Sequence, residues 1–415
     1  TACEREEQML NLESVESETG ARVKSELIAR NESKEVVVDI PDENLKIAIR
    51  EAINKPTGEL TAYDLSNMAE LIAEGKGIES IIGLEYAVNM TVLLLSNDSL
   101  SERYNNISDI STLSNLKNLT RLGLNNNQIS DISPLIGLES LNFLELRGNQ
   151  INDISSLAEL DKLKTLWMDS NQISNISSLS ELENLATLWM DNNEINDITP
   201  LSSLENLVEL SISSNQISDI SPLLRLEGLV KLDLSDNQIS DISSLSGLKN
   251  LEMLRLWSNK ISNLGGLSEL KGLRTLLASN NQISDIRPLL NLENLYWLEL
   301  KNNRINDISP ISRLKGLQFL RLGNNQISDI TPLSDLKRLT DLSLDNNQIY
   351  DISLVKDFEN LHELHIGGNH VTDISAVMDL NRLTVLGFQN NPLSDTSLAK
   401  VKALKARGII VETQW

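Results

Sequence analysis

Residues 119–138 read LTRLGLNNNQISDISPLIGL, and this pattern of Leu, Asn and Ile recurs along most of the 415-residue chain. Asn127 begins a series of thirteen asparagines that are spaced by 22 residues and end at Asn391. The positions equivalent to Leu119 and Leu122 hold leucine in all thirteen copies. A fixed period of this length is typical of repeat proteins, in which each unit buries its apolar face against the next. The sequence therefore predicts a solenoid.

The positions within one unit predict its local structure. Leu122 and Leu124 alternate with a residue that points outward, as in a short β-strand. Asn127 follows the strand where the chain turns, and its amide can pair with backbone groups that the turn leaves unpaired. The apolar residues from Ile129 to Leu138 stand three apart, which suits 3₁₀ turns. We expect an α/β leucine-rich repeat solenoid with a parallel sheet on its concave face, short 3₁₀ or loop segments on its convex face, and end caps.

Composition and register divide the chain into four segments. Residues 1–35 are rich in Glu, Ser, Lys and Arg and predict a polar tether. Residues 36–67 predict an N-terminal cap, residues 68–393 the solenoid of about fifteen units, and residues 394–415 a C-terminal cap. A 7-residue insertion lies in the solenoid around Ser99 to Tyr104.

The two caps have their own patterns. In the first, Val36 to Val38 predict a strand, Pro41 opens a helix that runs through residue 53, and Thr61 opens a second short helix. In the second, residues 395–407 predict a helix that Gly408 ends, and residues 409–411 predict a closing strand.

Aromatic residues are concentrated at outward strand positions. Four of the five tryptophans fall there. Apolar patches that face water often mark partner sites, and aromatic and Arg side chains dominate the energetics of protein interfaces. The alternative is that these aromatics only cover neighbouring side chains in the strands. The predicted partner-binding residues are Phe143, Glu145, Arg147, Trp167, Asp169, Trp189, Asp191, Lys231, Met253, Arg255, Trp257, Trp297, Glu299, Phe319 and Arg321.

Charge and motifs exclude several classes of function. The formal net charge is −23, which disfavours nucleic acid and favours a basic protein or peptide partner. The sequence has no phosphate-binding Gly-rich loop, no G-x-S-x-G elbow and no second cysteine for a metal site. The recurring aspartates, such as Asp131, stand alone in their units, so capping of short turns explains them better than calcium. We expect no catalysis, no cofactor and no metal.

The single cysteine, Cys3, follows Thr1 and Ala2 and precedes the polar tether. This arrangement resembles the end of a bacterial lipoprotein signal, in which small residues precede a cysteine that becomes lipid-modified. The resemblance implies a membrane anchor through a lipid on Cys3. The alternative is an ordinary thiol near the end of the chain.

The phrase NQISDISPL at residues 127–135, repeated as NQISDITPL at residues 325–333, closely resembles the internalin-type leucine-rich repeat proteins of bacteria. The resemblance covers residues 68–393 and implies a curved solenoid that binds proteins on its concave face without catalysis. The N-terminal cap differs from that of the best-known members, so host-cell invasion is not carried over. We expect a lipid-anchored, extracytoplasmic binding protein of the bacterial cell envelope. The alternative is a structural envelope protein that self-assembles or coats another surface structure.

Overall fold

The computed structural model of the protein describes residues 36–97 and 103–412. These residues divide into two compact units, the first ending at Leu163 and the second beginning at Lys164. The expected tether, Cys3 and most of the expected insertion lie outside the described residues. Within the described ranges, none of the helices has both the length and the apolar character needed to cross a membrane.

The first unit begins with two helices. Helix α1 spans Glu43–Ala52, and its N-cap Asp42 accepts a hydrogen bond from Leu45 N at 2.9 Å. Helix α2 spans Ala62–Ser66 and begins with a capping box formed by Thr61 and Asp64. Both helices occur where the sequence predicts them.

The predicted strand at residues 36–38 is wrong. Val37 forms only an isolated antiparallel bridge with Thr61. Val38 N donates to Leu60 O, and Ala62 N donates to Val36 O. The pairing stops there because α2 begins at Ala62, so no extended partner remains for a longer ladder.

Short parallel strands follow one another in sequence order in both units. The strands of the first unit are β1 (Glu70–Ile72), β2 (Val92–Leu94), β3 (Arg121–Gly123) and β4 (Phe143–Glu145). The strands of the second unit are β5 (Thr165–Trp167), β6 (Thr187–Trp189), β7 (Glu209–Ser211), β8 (Lys231–Asp233), β9 (Met253–Arg255), β10 (Thr275–Leu277), β11 (Trp297–Glu299), β12 (Phe319–Arg321), β13 (Asp341–Ser343), β14 (Glu363–His365), β15 (Val385–Gly387) and β16 (Ile410–Glu412). Equivalent repeat positions are paired, as Leu210 with Leu232, so the 22-residue period is also the register of the sheet.

The return segments are 3₁₀ helices, as the three-residue spacing predicts. In the first unit they span Leu84–Tyr86, Ser111–Asn115, Ser133–Leu135 and Ser155–Leu157. In the second unit they span Ser177–Leu179, Thr199–Ser203, Ser221–Arg225, Ser243–Gly247, Gly265–Leu267, Arg287–Leu289, Ser309–Arg313, Thr331–Leu333, Ser353–Asp357 and Ser375–Asp379. Parallel strands joined by 3₁₀ turns confirm the expected leucine-rich repeat solenoid.

The recurring leucines and isoleucines form the core, and the asparagines form a hydrogen-bonded ladder beside it. Leu232 and Leu234 are 1% and 0% exposed. The Asn237 amide nitrogen donates to Ile212 O of the preceding repeat at 3.0 Å and to Leu234 O of its own repeat at 3.2 Å. Its amide oxygen accepts from Ile217 N at 2.9 Å. The Asn237 amide therefore ties its own repeat to the one before it.

The ladder begins at Asn105, one repeat before the thirteen asparagines of the predicted series. The Asn105 amide donates to Ala73 O and Leu95 O, both at 2.9 Å, and accepts from Ile78 N at 2.9 Å. The signal was present in the sequence, because Asn105 stands 22 residues before Asn127.

The second unit ends with a helix and a strand, at the places where the sequence predicts them. Helix α3 spans Asp395–Ala406 and begins at Ser394, whose hydroxyl accepts from Ser397 N. Gly408 follows the helix with φ +83°, a left-handed conformation that glycine adopts without steric cost. Strand β16 then pairs with β15, one residue later than predicted.

The recurring aspartates cap the 3₁₀ turns, as expected. Asp131 Oδ1 accepts from Ser133 N at 2.8 Å, and the same contact recurs at Asp373 and Ser375 with 2.9 Å. Hydrogen bonds from the Ser375 hydroxyl and N–H, with a smaller contribution from Lys400, lower the pKa of Asp373 to about 2.

We expect an NMR titration of the Asp373 carboxyl carbon to have its midpoint near pH 2 and Ser375→Ala to raise that midpoint. Because the folded pKa lies below the unfolded value, the stabilisation by this turn is present above about pH 4 and is lost as pH falls toward about 2. An unchanged midpoint in Ser375→Ala would show that the hydroxyl does not hold the carboxylate.

Candidate functional site

The predicted site residues occupy three rows on the outward face of the strands. The first row holds the first residue of each strand, such as Phe143 and Trp297. The middle row holds the third residue, such as Trp167 and Trp189. The outer row lies two residues after the strand and includes Asp191. Because equivalent positions are paired in register, each row brings together side chains that are 22 residues apart.

In the first unit, a charged pair accompanies an aromatic ring. Arg121 lies over the ring of Phe143, with 4.4 Å from its Cζ to the ring centroid. Its guanidinium is 3.9 Å from Glu145, which is only 7% exposed and also accepts from Asn125 at 3.0 Å. Burial raises the pKa of Glu145, and the charge of Arg121 opposes that shift. Arg147 is exposed.

In the second unit, the middle row begins with two stacked indoles. The rings of Trp167 and Trp189 are 4.8 Å apart and inclined by 11°. Both side chains are half-buried and lie outside the core. The distance between the two rings equals the distance between neighbouring strands. The ring planes therefore stand roughly perpendicular to the sheet.

A polar region follows the stack along the sheet. The position after Trp189 in its row is Ser211. Lys231 pairs with Glu209 at 3.0 Å, and Arg255 pairs with Asp233 at 3.2 Å. These charged residues line a cavity of about 360 Å³, together with Trp189, Asp191, Ser211 and Met253.

A second aromatic group lies on β11 and β12. The ring of Phe319 is 5.5 Å from that of Trp297 and 5.2 Å from that of Tyr296, which it meets edge-on. Tyr296 is not among the predicted site residues, because its place just before a strand gives no sign of this contact. Trp257 is 39% exposed, and no ring among the described residues packs against it.

An ion pair between a half-buried arginine and a buried aspartate extends this group. Arg321 donates to Asp341 at 2.7 Å and lies 4.0 Å from Glu299. Asp341 is 6% exposed, and the hydrogen bond to it raises the pKa of Arg321. The predicted residues Glu299 and Arg321 therefore belong to a network of charged side chains across neighbouring strands. The repeat pattern alone does not predict this network.

The outer-row aspartates hydrogen-bond to the next strand. Asp169 is 6% exposed and accepts from Asp191 N at 2.9 Å. Asp191 accepts from Ser213 N at 2.6 Å and from the Ser211 hydroxyl at 2.8 Å, but it stays half-buried. Asp191 can therefore still face a partner, whereas Asp169 and Glu145 are largely covered.

The structure brings the predicted residues together in local groups within each unit. Trp167 meets Trp189, Trp297 meets Phe319, and Lys231, Met253 and Arg255 share the cavity beside Trp189. Across residues 36–97 and 103–412, no group of three or more His, Cys, Asp or Glu side chains could hold a metal ion. The arrangement combines flat aromatic surfaces with paired charges.

The chain was compared with known proteins. A family model described as leucine-rich repeats in two copies matches residues 139–182, 183–225, 227–269, 293–335, 315–359 and 337–381. An internalin (InlF) from Listeria monocytogenes is 33% identical, and the match covers 84% of this chain and 96% of that one with a TM-score of 0.72. None of the curated proteins compared with the chain matches it.

Two other solved structures share the fold. A leucine-rich repeat protein from Leptospira interrogans is 22% identical, with 85% of this chain and 97% of that one covered and a TM-score of 0.74. The ectodomain of the Arabidopsis thaliana receptor kinase GASSHO1/SCHENGEN3, solved in complex with CASPARIAN STRIP INTEGRITY FACTOR 2, is 20% identical. That match covers 85% of this chain and 48% of the ectodomain, with a TM-score of 0.64.

Proposed function

Since this chain belongs to the internalin-like leucine-rich repeat proteins, we propose that it is a non-enzymatic bacterial surface protein that binds a protein or peptide partner on its outward sheet face. Leucine-rich repeats generally serve as interaction scaffolds, because stacked units present an extended surface. The plant ectodomain of the same fold was solved in complex with another protein.

The observation that carries the proposal is the pair of stacked indoles on the sheet face. Trp167 and Trp189 lie outside the core, next to a cavity lined by charged side chains. Large aromatic surfaces bordered by charged groups are the usual composition of interface hot spots. The excess of carboxylates over cations in the chain favours a basic partner.

We expect the double variant Trp167→Ala, Trp189→Ala to bind the partner at least about thirtyfold more weakly, because truncating a hot-spot residue typically costs about 2 kcal/mol or more. The partner is first captured with a photo-reactive residue at Trp257, and Kd is then measured by surface plasmon resonance. The melting temperature should fall only slightly, because the rings lie outside the core.

The matched control for this experiment is Tyr350→Ala. Tyr350 is 67% exposed and stacks on His370 at 4.8 Å, but it lies outside the strands. We expect this variant to bind like the wild type. If the double tryptophan variant also bound like the wild type, the sheet face around the stack would not be the binding site.

The proposed surface location includes a lipid on Cys3. We expect the intact mass of protein purified from its own host to correspond to a chain that begins at Cys3 and carries acyl groups. Cys3→Ala should then release the protein from the membrane fraction. A mass that corresponds to an unmodified cysteine would rule out the anchor and leave the binding proposal standing.

A further inference from the structure

We propose that the cavity beside Trp189 receives an arginine side chain of the partner protein. The inference rests on the proposed function, because it names the chemistry of one subsite on the sheet face. The cavity, here called the arginine slot, is defined by Trp189, Asp191, Glu209, Ser211, Lys231, Asp233 and Arg255, and it lies entirely within the second unit.

The slot has one flat aromatic wall. Trp167 covers one face of the Trp189 ring. The other face looks along the sheet toward the next position of the middle row, which is Ser211. A serine is too small to continue the stack, so a space about as wide as one strand separation remains beside the indole. A planar group that enters this space would extend the stack.

The charges around the slot favour a cation. Glu209 pairs with Lys231 at 3.0 Å, and Asp233 pairs with Arg255 at 3.2 Å. Asp191 accepts hydrogen bonds from neutral groups, and no lysine or arginine of the described residues forms an ion pair with it. The slot therefore has three carboxylates and two cations, and one added positive charge would balance the remaining carboxylate of Asp191.

Asp191 keeps hydrogen-bonding capacity for that cation. Its Oδ1 accepts from Ser213 N, and the Ser211 hydroxyl oxygen, which has a single proton to donate, lies 2.8 Å from both carboxylate oxygens. A carboxylate offers about four acceptor sites, so a donor from outside can still bind. These two contacts also hold the carboxylate in place, which lowers the entropy lost when a ligand binds.

Arginine fits both features better than other side chains. Its guanidinium is planar, stacks on indole faces and presents several N–H donors to carboxylates. The ammonium of lysine is compact and strongly hydrated, so it would not fill a flat slot. A neutral aromatic ring would extend the stack but leave the excess charge of Asp191 unbalanced.

The test uses ¹⁹F NMR of the full chain labelled with 5-fluorotryptophan, with Trp189→Phe identifying the Trp189 resonance. Nα-acetyl-arginine amide should shift this resonance in a saturable way. Nα-acetyl-citrulline amide, which is nearly isosteric but neutral, should bind at least about tenfold more weakly. Nα-acetyl-phenylalanine amide should also bind more weakly than the arginine probe.

Asp191→Asn should weaken binding of the arginine probe about tenfold, because it removes the charge but keeps the acceptor for Ser213 N. Asp345→Asn is the matched control. Asp345 occupies the same repeat position outside the slot and accepts similar bonds, from the Ser343 hydroxyl at 3.0 Å and from Gly367 N at 2.9 Å. Its substitution should leave the affinity unchanged.

Three outcomes would overturn the proposal: no saturable shift with the arginine probe, equal binding of the citrulline probe, or tighter binding of the phenylalanine probe. The small-molecule titration is independent of the partner experiment. If the arginine probe did not bind but partner binding still depended on the tryptophan stack, the arginine proposal would be wrong and the proposed function would stand. Normal arginine binding without any effect of the double tryptophan variant on the partner would contradict the proposed function and the seating of the partner's arginine in the slot, and would leave only guanidinium binding by the slot.

Discussion

Replacing Asn237 with alanine is expected to lower the free energy of unfolding by about 3 kcal/mol or more. The amide donates to Ile212 O, Leu234 O and Ser235 O and accepts from Ile217 N, with distances of 2.9–3.2 Å. Alanine keeps none of these bonds. Ile217 N is left without a partner, which costs about 1–3 kcal/mol. The three carbonyls each keep a second donor, from Asn215, Asn259 and Ser214, so each lost bond there costs only about 0.5–1.5 kcal/mol. The bonds to Ile212 and Ile217 join neighbouring repeats, so their loss also weakens the stacking of the repeats.

The measurement is urea denaturation followed by circular dichroism, with Asn250→Ala as the control. Asn250 lies on the surface and donates to Glu227 O at 2.9 Å. Its loss should cost less than about 1 kcal/mol, because water can replace an exposed hydrogen bond. Similar costs for the two variants would contradict the view that the ladder stabilises the fold.

Replacing Phe358 with alanine is expected to destabilise the protein by about 3–5 kcal/mol. Phe358 is 0% exposed and is among the largest fully buried side chains. The equivalent position in the neighbouring repeats is leucine, at Leu336 and Leu380. Alanine would leave a cavity between neighbouring repeats. Because strand and ladder hydrogen bonds hold the backbones of these repeats in place, the surrounding side chains can fill little of the cavity.

Two further variants sharpen this prediction. Phe358→Leu restores the residue of the neighbouring units and should cost much less than Phe358→Ala. Phe319→Ala removes the same ring from the half-buried sheet face, where it should cost only about 1 kcal/mol, because little apolar area returns to water. Equal costs at Phe358 and Phe319 would contradict the assignment of one ring to the core and the other to the surface.

Much of the fold could be predicted because the repeat is both local and periodic. Leu232 and Leu234 could be assigned to the core from their spacing alone, and both are buried. The predicted helix starts agree because Asp42 and Thr61 cap their own helices within three residues. The strand predicted at residues 36–38 failed because its length depends on a partner that turns into helix α2.

The candidate site was less predictable for a related reason. Glu145 and Asp169 are predicted to lie on a binding surface, yet both are less than 10% exposed and bonded within the protein. The contact of Arg321 with Asp341 joins residues on neighbouring strands and could not be predicted from the repeat pattern. Long polar side chains have many rotamers, and competing neighbours decide which one is occupied.

The amino-acid sequence by itself determined which side of each strand faces the core, because apolar side chains at a strict 22-residue interval can be buried together in only one register. It also determined the 3₁₀ return segments and the asparagine ladder. Only the tertiary structure decided that Trp189 ends a stack beside an open slot and that Asp191 has no cationic partner there. These properties arise from contacts between residues on adjacent strands, where packing and hydrogen bonding with neighbours select one arrangement among many.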